Sequence, residues 1–175
     1  IEGYAEPFSK WLRVSQTAHD VGADAADAIA ASQSDVPGIA TLLLPANTAW
    51  DPGGVVADKV PVAAPKAVDP DVIKDAARRL EKAEKAVMLI NGSAVRASGL
   101  EAAARIREKT GATMYLSTFH ARAERGAGRV NIPKLPYFPD QIYAALDGCD
   151  ELILVGQDRP VTFFAYPGKK SDCTP

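Results

Sequence analysis

Residues 86–93 read Ala-Val-Met-Leu-Ile-Asn-Gly-Ser, and this stretch decides the fold class. Five consecutive apolar residues without a polar break are typical of a strand that is buried on both faces of a sheet. The three residues that follow form a turn, because asparagine, glycine and serine all favour turns. A helical pattern begins soon afterwards. A buried strand followed by a turn and a helix predicts a parallel sheet of the α/β class.

The chain on both sides of this strand repeats the alternation. Asp69-Pro70 predicts a helix start, because aspartate caps helices and proline fits the first helical position. Ser98-x-x-Glu101 predicts a capping box for a helix that stops at Gly111. The other elements predicted are strands 112–117, 151–155 and 162–166, and a short helix over 140–146. The fold class predicted is therefore α/β: a Rossmann-like, doubly wound parallel sheet, incomplete with only four strands.

The first 68 residues differ from the rest in composition. A helix to about Ser32, capped by Ser15 or Thr17, precedes one short apolar strand over 39–44. One helix and one strand cannot bury their own apolar faces, so an exposed apolar surface and self-association are expected. Prolines and glycines crowd residues 51–68 and predict a linker. The predicted organisation is segment 1–50, linker 51–68 and domain 69–175.

Charge and composition exclude several function classes. The 175 residues carry 20 basic and 22 acidic side chains, a net charge of −2, so no basic excess indicates nucleic acid or an anionic membrane surface. No apolar run approaches the roughly 18 residues that span a bilayer. The amino-terminal residues lack the features of a signal peptide. Two isolated cysteines, Cys149 and Cys173, indicate reduced thiols and a cytoplasmic location.

Two loops at strand ends are candidate ligand sites. Asn91, Gly92 and Ser93 follow the first buried strand, where ligands of open α/β sheets bind and where the next helix offers free N–H groups. Arg159 follows strand 151–155, and its planar guanidinium suits a phosphate or a base. These residues predict a nucleotide site. The alternatives are a plain strand-to-helix turn and a surface ion pair.

Other candidates have weaker support. Gly126-x-Gly128 neither leaves a strand nor opens a helix, so a surface turn is the better interpretation. His120 lies just past a strand, where a general base could stand, but no partner completes a triad. His19 is expected to face solvent. The sequence therefore predicts no catalytic residue and no metal-binding cluster.

A resemblance carries the interpretation further. Residues 37–47, Pro-Gly-Ile-Ala-Thr-Leu-Leu-Leu-Pro-Ala-Asn, resemble the PGPV-x-L-x-x-P-x-D segment of thiamine-diphosphate enzymes of the acetolactate synthase and 2-oxoacid decarboxylase group. The preceding Phe8-Ser9-Lys10-Trp11, the linker, and residues 86–92, 126–128 and 152–156 are similar to that family in the same order. The acetolactate synthase large subunit is the nearest subgroup.

The resemblance implies a domain assignment. Residues 1–50 correspond to the end of the pyrimidine-binding domain, and residues 69–175 correspond to most of the central Rossmann-like domain. Asn47 departs from the family's aspartate, and Gly92 lacks the fuller glycine run of the flavin-binding members. The family's catalytic glutamate is expected upstream of Ile1, and its diphosphate and Mg²⁺ motif beyond Pro175.

The implied function follows from this assignment. The parent is expected to be a transferase or lyase acting on 2-oxoacids with thiamine diphosphate and Mg²⁺, while this fragment alone is structural and inactive. Its expected partners are the remaining domains of its parent chain and further copies in a homo-oligomer. The alternative is a module that binds FAD, ADP or CoA at Asn91, Gly92, Ser93 and Arg159.

Overall fold

The computed structural model describes residues 1–34 and 36–175, which form two units, Ile1–Val68 and Asp69–Pro175. Residues 51–68, predicted as a linker, contain no helix or strand and are grouped with the first unit. No helix in the described residues is both long enough and apolar enough to cross a membrane.

The first unit is a two-stranded parallel sheet with one long helix. Strand β1 (Trp11–Val14) lies directly beside β2 (Ala40–Leu43), with Trp11 opposite Ala40 and Val14 opposite Leu43. Its elements are α1 (Glu2–Ala5), a 3₁₀ turn (Glu6–Phe8), β1 (Trp11–Val14), α2 (Val21–Gln33), β2 (Ala40–Leu43) and α3 (Ala46–Trp50). The prediction of a single strand was wrong. Strand β1 was missed because the charged Arg13 interrupts its apolar residues. In the structure Arg13 forms ion pairs with two aspartates of α2.

The predicted cap of α2 was also wrong. Helix α2 begins at Val21, after Asp20, and no side chain caps it. Ser15 instead donates its hydroxyl hydrogen bond to Asp24 Oδ2 at 2.7 Å. The Thr17 hydroxyl donates to Asp20 Oδ2 at 2.6 Å. Both hydroxyls therefore donate to aspartate side chains, Ser15 to one within α2 and Thr17 to the one that precedes it.

The second unit is a three-stranded parallel sheet covered on both faces. Its elements are α4 (Pro70–Lys82), β3 (Ala86–Ile90), a 3₁₀ turn (Gly92–Val95), α5 (Ala97–Thr110), β4 (Thr113–Leu116), α6 (Pro139–Leu146) and β5 (Glu151–Val155). The strand order is β4-β3-β5. Met88 and Ile90 pack with Leu100 of α5, whereas Val87 and Leu89 pack with residues of α6. The predicted parallel α/β class is confirmed.

Two of the three helix signals predicted in the second unit are confirmed. Asp69 caps α4 by accepting a hydrogen bond from the Asp71 N–H at 2.9 Å, and Pro70 is the first helical residue. Gly111, with a φ of 73°, ends α5 in the left-handed conformation. The predicted capping box at Ser98 was wrong. Helix α5 begins soon after the 3₁₀ turn, at Ala97, so Ser98 lies inside the helix and no side chain caps it.

The predicted fourth strand over 162–166 was wrong. Residues 160–173 form an arm in which Val161 makes an isolated antiparallel bridge with Asp172. The Thr162 N–H donates to the Ser171 carbonyl at 2.8 Å, and the Cys173 N–H donates to the Pro160 carbonyl at 2.9 Å. The apolar run is aromatic and exposed, with Phe163 at 60% and Phe164 at 54% exposure, so the burial expected of a parallel strand does not occur.

Candidate functional site

A cleft of about 360 Å³ lies where β3 and β5 end. Asn91 lines it from the loop after β3, Phe119 from the loop after β4, and Gln157 and Arg159 from the loop after β5. The structure thus brings Asn91 and Arg159, 68 positions apart in the sequence, to one cavity. Gly92 and Ser93 are not part of its lining. This is the edge of a parallel sheet where ligands of such folds bind.

Two glycines allow the loops beneath the cleft to touch. Gly92 and Gly156 have φ values of 60° and 66°, in the left-handed region that favours glycine. A Cβ atom on Gly156 would lie 2.7 Å from the Asn91 carbonyl oxygen, and one on Gly92 would lie 3.4 Å from the Gly156 carbonyl oxygen. The Asn91 N–H also donates to the Val155 carbonyl at 2.8 Å. Main-chain atoms therefore pack closely beside Asn91.

Arg159 already has an ion-pair partner. Its Nη1 donates to Asp172 Oδ2 at 3.0 Å, and its side chain is 70% exposed. Hydrogen bonds from Thr174, with a smaller contribution from Arg159, hold the pKa of the Asp172 carboxyl below its usual range. This contact is the surface ion pair that the sequence left open as an alternative. An anion in the cleft would compete with Asp172 for the guanidinium, which carries five N–H donors.

Gln157 is a cleft residue that the sequence did not single out. Its Oε1 is buried and accepts no hydrogen bond within the described residues. A buried acceptor without a donor costs about 1–3 kcal/mol, which a hydrogen-bond donor on a bound molecule would offset. No sequence signal identifies the residue, because its environment arises only when the loops after β3 and β5 meet.

The other candidate residues, the two histidines, the two cysteines and the Gly126-x-Gly128 turn, lie in environments that do not indicate a reactive site. His120 Nδ1 lies 2.9 Å from the Ser117 carbonyl oxygen, and the His19 side chain is 74% exposed. Burial raises the pKa of both the Cys149 and Cys173 thiols, which disfavours the reactive thiolate. Gly126-x-Gly128 lies in a segment without helix or strand. Within residues 1–34 and 36–175, no three histidine, cysteine, aspartate or glutamate side chains form a group that could hold a metal ion.

One curated protein is similar to the chain along its full length, although no protein-family model matches. It comes from Mycobacterium tuberculosis and is described as "Putative acetolactate synthase large subunit IlvX". The two are 46% identical over 175 residues, which is 100% of this chain and 33% of the relative. The chain therefore spans about a third of the length of the relative it matches.

Two solved structures share the fold. One is the X-ray structure of "a putative thiamin diphosphate-dependent enzyme" from Mycobacterium smegmatis, with a TM-score of 0.63, 23% identity, and coverage of 98% of this chain and 33% of that chain. The other is the thiamine diphosphate-dependent 4-hydroxybenzoylformate decarboxylase of Rhodococcus jostii, with a TM-score of 0.64, 21% identity, and coverage of 94% and 32%. At these identities they show the fold alone. The predicted resemblance is thus confirmed: over its whole length this chain is similar to about one third of an acetolactate synthase large-subunit-like protein.

Proposed function

We propose that the chain is part of a thiamine-diphosphate-dependent enzyme that acts on 2-oxoacids, by acetolactate synthase-like carboligation or by decarboxylation. The observation that carries the proposal is the 46% identity along the whole chain to the protein described as "Putative acetolactate synthase large subunit IlvX". The transferase or lyase class, a cytoplasmic location, and association with further domains and further copies belong to the same proposal.

The role proposed for the residues present here is structural rather than catalytic. Thiamine enzymes rely on the cofactor's own chemistry, while the protein binds and orients it. The described residues do not fit the Mg²⁺ that would anchor the diphosphate, because no three of their acidic, histidine or cysteine side chains form a group that could hold a metal ion. Asp71 pairs with Lys74, for example, and Asp75 pairs with Arg78 and Arg79 on the surface of α4. Cofactor and metal would be held by other parts of the parent enzyme.

An activity assay tests this division of roles. The chain is incubated with pyruvate, thiamine diphosphate and Mg²⁺, and both 2-oxoacid consumption and cofactor binding by calorimetry are followed. We expect neither turnover nor binding. The Rhodococcus jostii decarboxylase with 4-hydroxybenzoylformate serves as the positive control for the cofactor and buffer. Turnover or saturable cofactor binding by the chain would contradict the structural role.

The second candidate function is nucleotide binding in the cleft, with FAD, ADP or CoA as ligand. The specific observation in its favour is the meeting of Asn91 and Arg159 at one cavity of about 360 Å³ beside the glycines of two loops. Arg159 would contact a phosphate group, and the Asn91 amide would hydrogen-bond to the polar groups of the ligand. Gln157 Oε1 offers a place for a donor on the ligand.

Calorimetric titration with ADP, FAD and CoA tests the cleft. If it binds a phosphate, Arg159→Ala weakens binding about tenfold or more, the effect of one lost charge-assisted hydrogen bond. Asp172→Asn tightens binding, because the guanidinium loses its competing partner. Arg129→Ala is the matched control, since Arg129 pairs with Glu124 and does not line this cleft. Failure of all three ligands to bind at millimolar concentration removes this second function and leaves the first unaffected.

A further inference from the structure

Part of the predicted linker lies against the first turn of helix α2. A Cβ atom on Gly22 would overlap the Val55 carbonyl oxygen and would lie 3.3 Å from the Ala57 nitrogen. An open hollow of about 660 Å³ in the first unit is lined by Val21 and Gly22 of the helix and by all four linker residues 54–57. The main chain of the linker therefore touches the main chain of the helix, and the contact point is a glycine.

The close approach explains why a glycine stands in this turn. Glycine is a poor helix former, so its place in α2 calls for a reason other than helix propensity. The reason that the geometry supplies is space, because glycine alone leaves room for another stretch of backbone. The hydrogen atom that takes the place of a Cβ on Gly22 points towards the Val55 carbonyl oxygen, as in a weak Cα–H···O contact.

Packing at this point is the main attachment of residues 54–57. Their N–H and carbonyl groups make no backbone hydrogen bond to any other residue that the structure describes. Ala57 is nevertheless partly buried, whereas every residue of 61–68 is exposed. The linker thus has two parts that differ in their surroundings, one lying on α2 and one extending into solvent.

We infer that residues 54–57 form a strap that Gly22 clamps to α2, so that only residues 58–68 connect the two units as free chain. The strap makes the first part of the linker a fixed part of the first unit. Pro61 and Pro65 stiffen the free part, because proline favours an extended chain. The second unit can therefore move relative to the first only as far as this shorter segment allows, whether or not either unit holds a ligand.

Limited trypsin digestion of the 175-residue chain, followed by mass spectrometry of the first fragments, tests the inference. Lys59 and Lys66 are both exposed, but Lys59 follows the strap closely and Lys66 lies in the free part. A protease must draw several residues on each side of the bond into its active site, so the strap has to leave α2 before cleavage after Lys59. We expect this cleavage to be at least about tenfold slower than cleavage after Lys66. Equal rates in the wild-type chain would overturn the inference.

Gly22→Ala is expected to push the strap off the helix and to raise the rate of cleavage after Lys59 at least about fivefold, with the rate after Lys66 unchanged. Gly3→Ala is the matched control, because Gly3 also lies in a helix of the first unit but a Cβ there meets no atom within 4 Å. It should leave both rates unchanged. An unchanged rate after Lys59 in Gly22→Ala, or an equal rise in Gly3→Ala, would overturn the inference.

Cleavage after Arg13 shows whether the variant still folds, because Arg13 lies within β1. If that cleavage stays slow in Gly22→Ala, the first unit is intact and the faster cleavage after Lys59 reports on the strap. If it rises in parallel, the whole unit has loosened, and the comparison of Lys59 with Lys66 in the wild-type chain decides.

Discussion

The two units contain the same motif, parallel strands joined by a helix, but only one of them encloses a core. All five residues of β3 are buried in the second unit, whereas none of the eight strand residues of the first unit is fully buried. The difference arises from how many strands and helices cover each sheet. Strand β3 has neighbouring strands on both sides and helices on both faces, while β1 and β2 each have one neighbouring strand and contact α2. A strand pattern alone therefore does not specify how much apolar surface a unit removes from water.

Polar contacts replace part of the missing core in the first unit. Arg13 on β1 donates to Asp24 Oδ1 at 2.8 Å and to Asp27 Oδ2 at 2.6 Å, both on α2. Ser15, only 1% exposed, completes this Arg13–Asp24 brace by donating to the other oxygen of Asp24. The brace attaches the helix to the sheet through charge-assisted hydrogen bonds, which are stronger than neutral ones. The first unit is accordingly expected to be the less stable of the two.

The largest effect is expected from truncating the core that only the second unit has. Leu89 is 0% exposed, so Leu89→Ala should lower the free energy of unfolding of that unit by about 3 kcal/mol, through lost burial and a cavity. Leu43→Ala on the partly exposed β2 should cost only about 1 kcal/mol. Urea denaturation of both variants gives the two values. Equal costs would remove the contrast between the units.

A smaller effect is expected where the loops of the second unit touch. Gly156→Ala forces a side chain into the left-handed region and places its Cβ 2.7 Å from the Asn91 carbonyl oxygen, so it should cost about 2–3 kcal/mol. Gly168→Ala has a similar φ of 72° but meets no atom within 4 Å, so only about 1 kcal/mol is expected. Thermal unfolding compares them. A Gly156→Ala variant no less stable than Gly168→Ala would show that the close contact is unimportant.

The brace of the first unit is expected to contribute about 1.5 kcal/mol through Asp24. Asp24→Asn removes the charge at the helix and should lower the stability of this unit by that amount, whereas Asp27→Asn, with a more exposed side chain, should cost less. Unfolding monitored by tryptophan fluorescence measures both. If Asp27→Asn proved the more damaging, the buried hydrogen bonds of Asp24 would not be the main contribution.

The same brace predicts a dependence on pH. Hydrogen bonds from Arg13 and Ser15 hold the pKa of the Asp24 carboxyl below its ordinary value of 3.8. Its stabilising contribution is therefore complete above the ordinary aspartate range and is lost as the pH falls through the lowered pKa. Acid titration of the wild type should show this loss in the first unit, and Asp24→Asn should abolish that part of the titration.

The smallest effect is expected from a surface ion pair of the second unit. Arg79 Nη1 lies 3.3 Å from Glu151 Oε2, and the Arg79 side chain is 55% exposed. Solvent screens such pairs, so Glu151→Gln should leave the unfolding midpoint essentially unchanged. A clear loss of stability in urea denaturation would indicate that polar surface contacts stabilise both units, and not the first alone.

The sequence predicted the second unit better than the first. The uninterrupted apolar run of β3 and the Asp69-Pro70 helix start are local signals, and the structure confirms both. Strand β1 could not be predicted in the same way, because Arg13 interrupts its apolar pattern and its partners lie 11 and 14 residues away. The apolar run around Phe163 gave the opposite error: a strand was predicted over 162–166 where the structure has none, since aromatic residues also occur on exposed surfaces.

The candidate cleft was only partly accessible to sequence reasoning. Asn91 and Arg159 were identified because each follows a predicted strand, and parallel strands end at one edge. The Arg159–Asp172 pair and the buried acceptor of Gln157 depend on how two loops and the 160–173 arm pack, which no local pattern specifies. The overall resemblance to thiamine-diphosphate enzymes needed only the order of several short motifs.

A urea titration with a separate probe for each unit tests the contrast between them most directly. The chain's two tryptophans, Trp11 and Trp50, both lie in the first unit, so their fluorescence reports on that unit alone. Amide hydrogen exchange of β3 reports on the second. We predict that the fluorescence transition occurs at a lower urea concentration than the loss of protection in β3. Coincident transitions would contradict the account, because they would show that the two units unfold together as a single core.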